Sequence, residues 1–78
     1  MPKTTKTSDL YEAGALQAYS GFSPIKLEEE DGIITFIFEG EKEAEEIIQL
    51  FWNGQLMVSA RKYAEALKSL KERLHRRR

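Results

Sequence analysis

An Asp-Gly pair at positions 31 and 32 stands between two alternating apolar runs, and it dictates a tight β-hairpin more firmly than any other feature of the chain. Both central residues of a two-residue primed turn need positive φ, which glycine adopts freely and aspartate tolerates. On the approach, Ile25 and Leu27 alternate with Lys26 and Glu28, and Pro24 suits the start of an edge strand. The return runs from Ile33 to Glu39, with Ile34, Phe36 and Phe38 on one face and Ile33, Thr35 and Ile37 on the other. A two-stranded hairpin is marginal by itself. Helices are needed over one face, and the second face, also apolar, calls for another helix or a second copy of the protein.

The flanking sequence supplies those helices. Asp9 followed by Glu12 has the spacing of a capping pair, and Gly21 stands where a left-handed helix stop belongs. Between them Ala13, Gly14, Ala15 and Ala18 are small enough to let a neighbouring element approach closely, which gives a packing reason for a mid-helix glycine that costs about 1 kcal/mol of helix propensity. From Glu41 to about Trp52, the residues Ala44, Ile47, Ile48 and Phe51 make an amphipathic stripe, closed by Asn53-Gly54. Leu56, Met57 and Val58 read as a short extended link, a candidate third strand, with Met57 as core filler. Ser59 is the expected cap of the last helix, with Val58 and Tyr63 spaced as a hydrophobic staple. In that helix Ala60, Tyr63, Leu67, Leu70 and Leu74 form a seam for the sheet or for a partner helix. The expected fold class is α+β: an N-terminal helix, a β-hairpin, then two helices joined by a short extended link, in the order α-β-β-α-(β)-α. Residues 1–7 read as a flexible tail, 8–75 as one domain and 76–78 as a basic C-terminal tail.

A chain of 78 residues holds one modest core, burying about 60% of its extended surface. It has no cysteine, which excludes disulfides and thiolate chemistry. The N-terminus lacks the apolar stretch of a secretory signal, and no run approaches the ~20 apolar residues of a membrane span, so a cytoplasmic protein without membrane partners is expected.

Charge is segregated. The net charge is only −1, yet nine acids against Lys42 alone crowd residues 28–46, while eight bases against Glu65 and Glu72 crowd 61–78. The bases Arg61, Lys62, Lys68, Lys71, Arg73, Arg76, Arg77 and Arg78 are the candidate contacts for nucleic acid or an acidic partner. The pairs Arg61/Glu65 and Glu72/Arg76 fall at i,i+4 and partly quench that helix. The candidate surface for self-association is Ile33, Thr35 and Ile37. His75, the single histidine, lies among arginines at the chain end with no orienting partner, so no catalytic residue is expected. Glu28-Glu29-Glu30-Asp31 has no calcium-loop spacing and alternates faces, so no metal site and no cofactor are expected. The glycines form no phosphate-binding motif. Phe51, Trp52 and Tyr63 read as core before they read as stacking groups.

From Thr7-Ser8-Asp9-Leu10-Tyr11 through Phe36-Ile37-Phe38 to Trp52-Asn53-Gly54 and Arg61-Lys62-Tyr63-Ala64, the pattern resembles a family of short bacterial and phage proteins known only as a domain of unknown function. The resemblance implies a small stand-alone protein of mobile-element type and transfers no functional residue. The expected function is that of a non-catalytic interaction protein, forming a homo-oligomer. The alternative is a nucleic-acid-binding accessory protein using the basic C-terminal helix, and a third reading makes the acidic segment a mimic of DNA.

Overall fold

The computed structural model describes residues 3–76, in which three helices cover one face of a three-stranded antiparallel sheet. The elements are β1 (Thr4–Thr7), α1 (Leu10–Ser20), β2 (Lys26–Glu30), β3 (Ile33–Glu39), α2 (Lys42–Trp52) and α3 (Ala60–Arg76). The class is α+β as expected, but the order is β-α-β-β-α-α. Two corrections produce that order. A strand precedes the first helix, where the sequence suggests only a tail, and the link at 56–58 is not a strand.

The hairpin forms at Asp31-Gly32, whose φ angles are 53° and 81°. β3 becomes the central strand, with β2 on one side and β1 on the other, both antiparallel to it. β1 and β2 therefore run parallel, and α1 carries the chain over the sheet between them. β1 escapes an apolar reading because its inward residues are threonines. Thr7 is buried with its hydroxyl donating to Glu12 Oε1 (2.7 Å) and accepting from the Asp9 amide (3.1 Å). Thr5 Oγ1 donates to Gly40 O at 2.7 Å. A β-branched residue whose hydroxyl is satisfied fits a strand as well as valine does.

α1 sits in the middle of the helical layer. Four consecutive residues, Ala13 to Leu16, are buried, because the helix packs against both α2 and α3. Asp9 Oδ1 accepts from the amides of Tyr11 (2.8 Å) and Glu12 (3.1 Å), and Gly21 closes the helix with φ 80°. The Glu12 carboxylate does not return to the cap amide. It bonds Thr7 and, through Oε2, the Trp52 indole at 2.5 Å, tying β1, α1 and the end of α2 together. The core contains Ala13 and Leu16 of α1, Phe36 and Phe38 of β3, Ala44 and Ile47 of α2 and Leu70 of α3. Leu10, Leu27, Ile48, Leu56 and Leu74 pack around it. Ser59 Oγ accepts from the Lys62 amide at the start of α3, at 3.4 Å. Met57 is not core filler: it is exposed, while Leu56 turns inward.

Candidate interaction surfaces

The outer face of β3 is not the open apolar patch that Ile33, Thr35 and Ile37 suggest. Ile37 is 2% exposed, Thr35 is half-buried with its hydroxyl 3.1 Å from that of Ser8, and only Ile33, at 59%, meets solvent. The cause is β1. With a strand on each side, Ile37 has Lys6 and Lys26 as its register partners, and directly opposed side chains share a face. Their aliphatic stems shelter Ile37 while their ammonium groups reach Glu28, at 3.8 and 3.4 Å. A charged lattice thus covers most of this face.

The basic residues of α3 divide into three groups. Arg61 pairs with Glu65 at 3.2 Å. Arg73 is half-buried and donates from Nη1 to the carbonyl of Pro24 at 2.9 Å, so it fastens α3 to the segment that leads into β2. Lys62, Lys68, Lys71 and Arg76 are exposed and make no ion pair among the described residues. Arg77 and Arg78 lie outside the described residues. Replacing Arg73 with methionine, which keeps the stem and removes the donor, is expected to cost about 1–2 kcal/mol in urea unfolding, because the Pro24 carbonyl loses a charged partner. The same change at Lys68 should stay within about 0.5 kcal/mol.

Among the described residues no group of three or more acids and histidines is placed to hold a metal ion. Glu29, Glu30 and Asp31 are exposed at the hairpin tip, and His75 is exposed in the last turn of α3. Phe51 and Trp52 meet edge to face, with centroids 5.1 Å apart, and Phe51 also faces Tyr63 at 6.5 Å. Tyr63 donates its hydroxyl to Tyr11 O (3.3 Å), and burial, followed by the charges of Tyr11 and Asp9, raises its pKa above the ordinary 10.0. The phenol therefore stabilises the fold while protonated, and that contribution declines as pH climbs through the alkaline range above 10. These aromatics join α2 to α3 and to α1.

Sequence reasoning misses one surface altogether. A groove of about 310 Å³ runs between the end of α1 and α2, lined by Tyr19, Ser20, Phe22, Glu43, Glu46, Ile47 and Leu50. A smaller recess of about 70 Å³ continues from it toward Leu16 and Phe38 of the core, with Glu39 at its edge. Phe22 is 73% exposed and Tyr19 54%. Phe22 is nevertheless held: Ser20 Oγ donates to Leu16 O (2.6 Å) and accepts from the Phe22 amide (3.1 Å). Glu43 and Glu46 stand three residues apart on α2 and make no ion pair among the described residues. Two aromatic walls, an aliphatic floor and two carboxylates without an ion pair among the described residues are chemistry suited to a cationic side chain. The signal that points to it in the sequence is a pair of aromatics flanking a helix stop, outside any apolar stripe.

No helix among the described residues is long and apolar enough to cross a membrane. No curated protein and no solved structure matches the chain. A family model does match, over residues 3–76, from the first strand to the last turn of α3. The chain belongs to that family, the domain of unknown function DUF5659.

Proposed function

We propose that this protein is a non-catalytic interaction protein that acts by associating with copies of itself. The observation that carries the reading is the exposed aromatic pair Tyr19 and Phe22, set beside Glu43 and Glu46, in a chain whose last helix presents the exposed Lys71 and Arg76; none of these four charges makes an ion pair among the described residues. Large apolar side chains left in water next to charge of one sign mark a surface awaiting a partner of the other sign. The non-catalytic part is supported by the residues themselves, since the single histidine is exposed on the last turn of α3 and there is no cysteine nucleophile. Sedimentation equilibrium over a range of concentrations tests the proposal. A reversible oligomer is expected at low ionic strength, weakening as salt screens the contact. A chain that stays monomeric at the highest attainable concentration and low salt removes the reading.

A second reading is favoured by the exposed cations Lys62, Lys68, Lys71 and Arg76, which are available to phosphates. It makes the protein a nucleic-acid-binding accessory. Affinity for a duplex or single strand is then expected to fall with salt by a log–log slope of about −0.9 (duplex) or −0.7 (single strand) per phosphate neutralised. Failure to bind either form at low salt excludes it.

A further inference from the structure

We infer that the groove between α1 and α2 is a receptor for the basic C-terminal end of α3 from a second copy of the chain, and that the two copies exchange these ends about a two-fold axis. The inference rests on the self-association proposed above and names its contact. Charge complementarity selects the occupant. The groove offers Glu43 and Glu46, with Glu39 at the adjoining recess, and no cation among the described residues lines it. The end of α3 offers Lys71 and Arg76, followed in sequence by Arg77 and Arg78. Arginine suits the walls as well as the carboxylates. A guanidinium stacks on the faces of Phe22 and Tyr19 while its edge donates to Glu43 or Glu46, and its methylene stem lies along Ile47 and Leu50.

Placement sets the symmetry. Arg73 Nη1 lies 2.9 Å from the Pro24 carbonyl, and Phe22 is two residues before Pro24. Two residues of chain span at most about 7 Å, so the last turns of α3 and the rim of the groove share one end of the molecule. A donor surface and an acceptor surface lying side by side are both satisfied at once when a second copy is turned by a half rotation, which gives a closed dimer.

The test exchanges charge between the two surfaces of the full chain and reads the dimer by sedimentation, with circular dichroism to confirm that each variant is folded. The variant Glu43→Arg/Glu46→Arg and the variant Arg76→Glu/Arg77→Glu/Arg78→Glu should each weaken the dimer by at least about tenfold, since each places like charges at both contacts. Mixed in equal amounts, the two should regain the dimer, because the basic end of the first meets the acidic groove of the second and the acidic end of the second meets the basic groove of the first. A chain carrying all five changes should dimerise alone for the same reason. Phe22→Ala, at an exposed position outside the core, should weaken the dimer without loss of fold. A wild-type dimer indifferent to both reversals leaves self-association standing and overturns this interface. So does a loss that neither mixing nor the five-fold variant restores. A wild-type chain that never dimerises removes the parent proposal along with the contact.

Discussion

Leu70→Ala is expected to bring this domain close to the edge of folding. Leu70 is the α3 residue at the centre of the core, 0% exposed, in one cluster with Ala13 and Leu16 of α1 and Phe36 of β3. Removing a buried leucine side chain to the β-carbon costs about 2–5 kcal/mol, the upper values applying where the walls cannot collapse into the space. Collapse is restricted here. Phe36 is fixed in the central strand by pairing on both sides, and α1 is held at one end by Asp9 and at the other by Gly21. A single core in a chain of this length supplies roughly 3–5 kcal/mol of net stability, so the loss takes most of it. Urea titration followed by circular dichroism should show the midpoint moving toward zero denaturant. Leu70→Met, which conserves volume, should cost less than about 1.5 kcal/mol. If Leu70→Ala unfolds at the wild-type midpoint, α3 is not part of the core.

What the sequence makes legible is the structure governed by local chemistry. The hairpin turn follows from the positive φ that Asp31 and Gly32 must adopt, and the limits of α1 follow from Asp9 and Gly21. The stripe of α2 follows from periodicity, with Ala44 and Ile47 buried where it places them. Long-range partners are what the sequence hides. β1 contains Thr4, Thr5 and Thr7 with no aliphatic residue, so its strand character depends on acceptors supplied by Gly40 and Glu12, neither of which its own pattern reveals. Missing that strand leaves Ile37 without Lys6, one of the two lysines that flank it, and makes an ordinary sheltered face look like a docking surface.

The candidate site is hidden for the same reason. Tyr19 and Phe22 come within reach of Glu43 and Glu46 only because α1 and α2 pack together, with the whole hairpin lying between them in the chain. Arg73 illustrates the converse. Its sequence neighbours suggest a surface cation, but a carbonyl 49 residues away takes its charge-assisted hydrogen bond. Charge segregation along the chain is visible at once; which cations remain available is decided by tertiary contact.

The close approach of α1 and α3 yields the second large effect. A β-carbon built on Gly14 would lie 2.6 Å from Leu67 Cδ2 and 3.3 Å from its Cγ, with Tyr63 Cε1 at 3.4 Å. Gly14→Ala sets a gain of about 1 kcal/mol in helix propensity against a shift of the Leu67 tip, and the two nearly cancel. Gly14→Leu has no such compromise, because its branch must enter the space that Leu67 and Tyr63 already fill. The helices have to separate, at a net cost of about 2–3 kcal/mol. For a domain of this size that corresponds to a fall in melting temperature of roughly 10–20 °C. Shortening the opposing residue separates the cause from a general intolerance of bulk. In the double variant Gly14→Leu/Leu67→Ala, the new side chain takes the place of the old, and part of the lost stability should return relative to the sum of the single changes. Strict additivity would mean that the two positions do not touch, and that the mid-helix glycine of α1 has some other cause than the passage of α3.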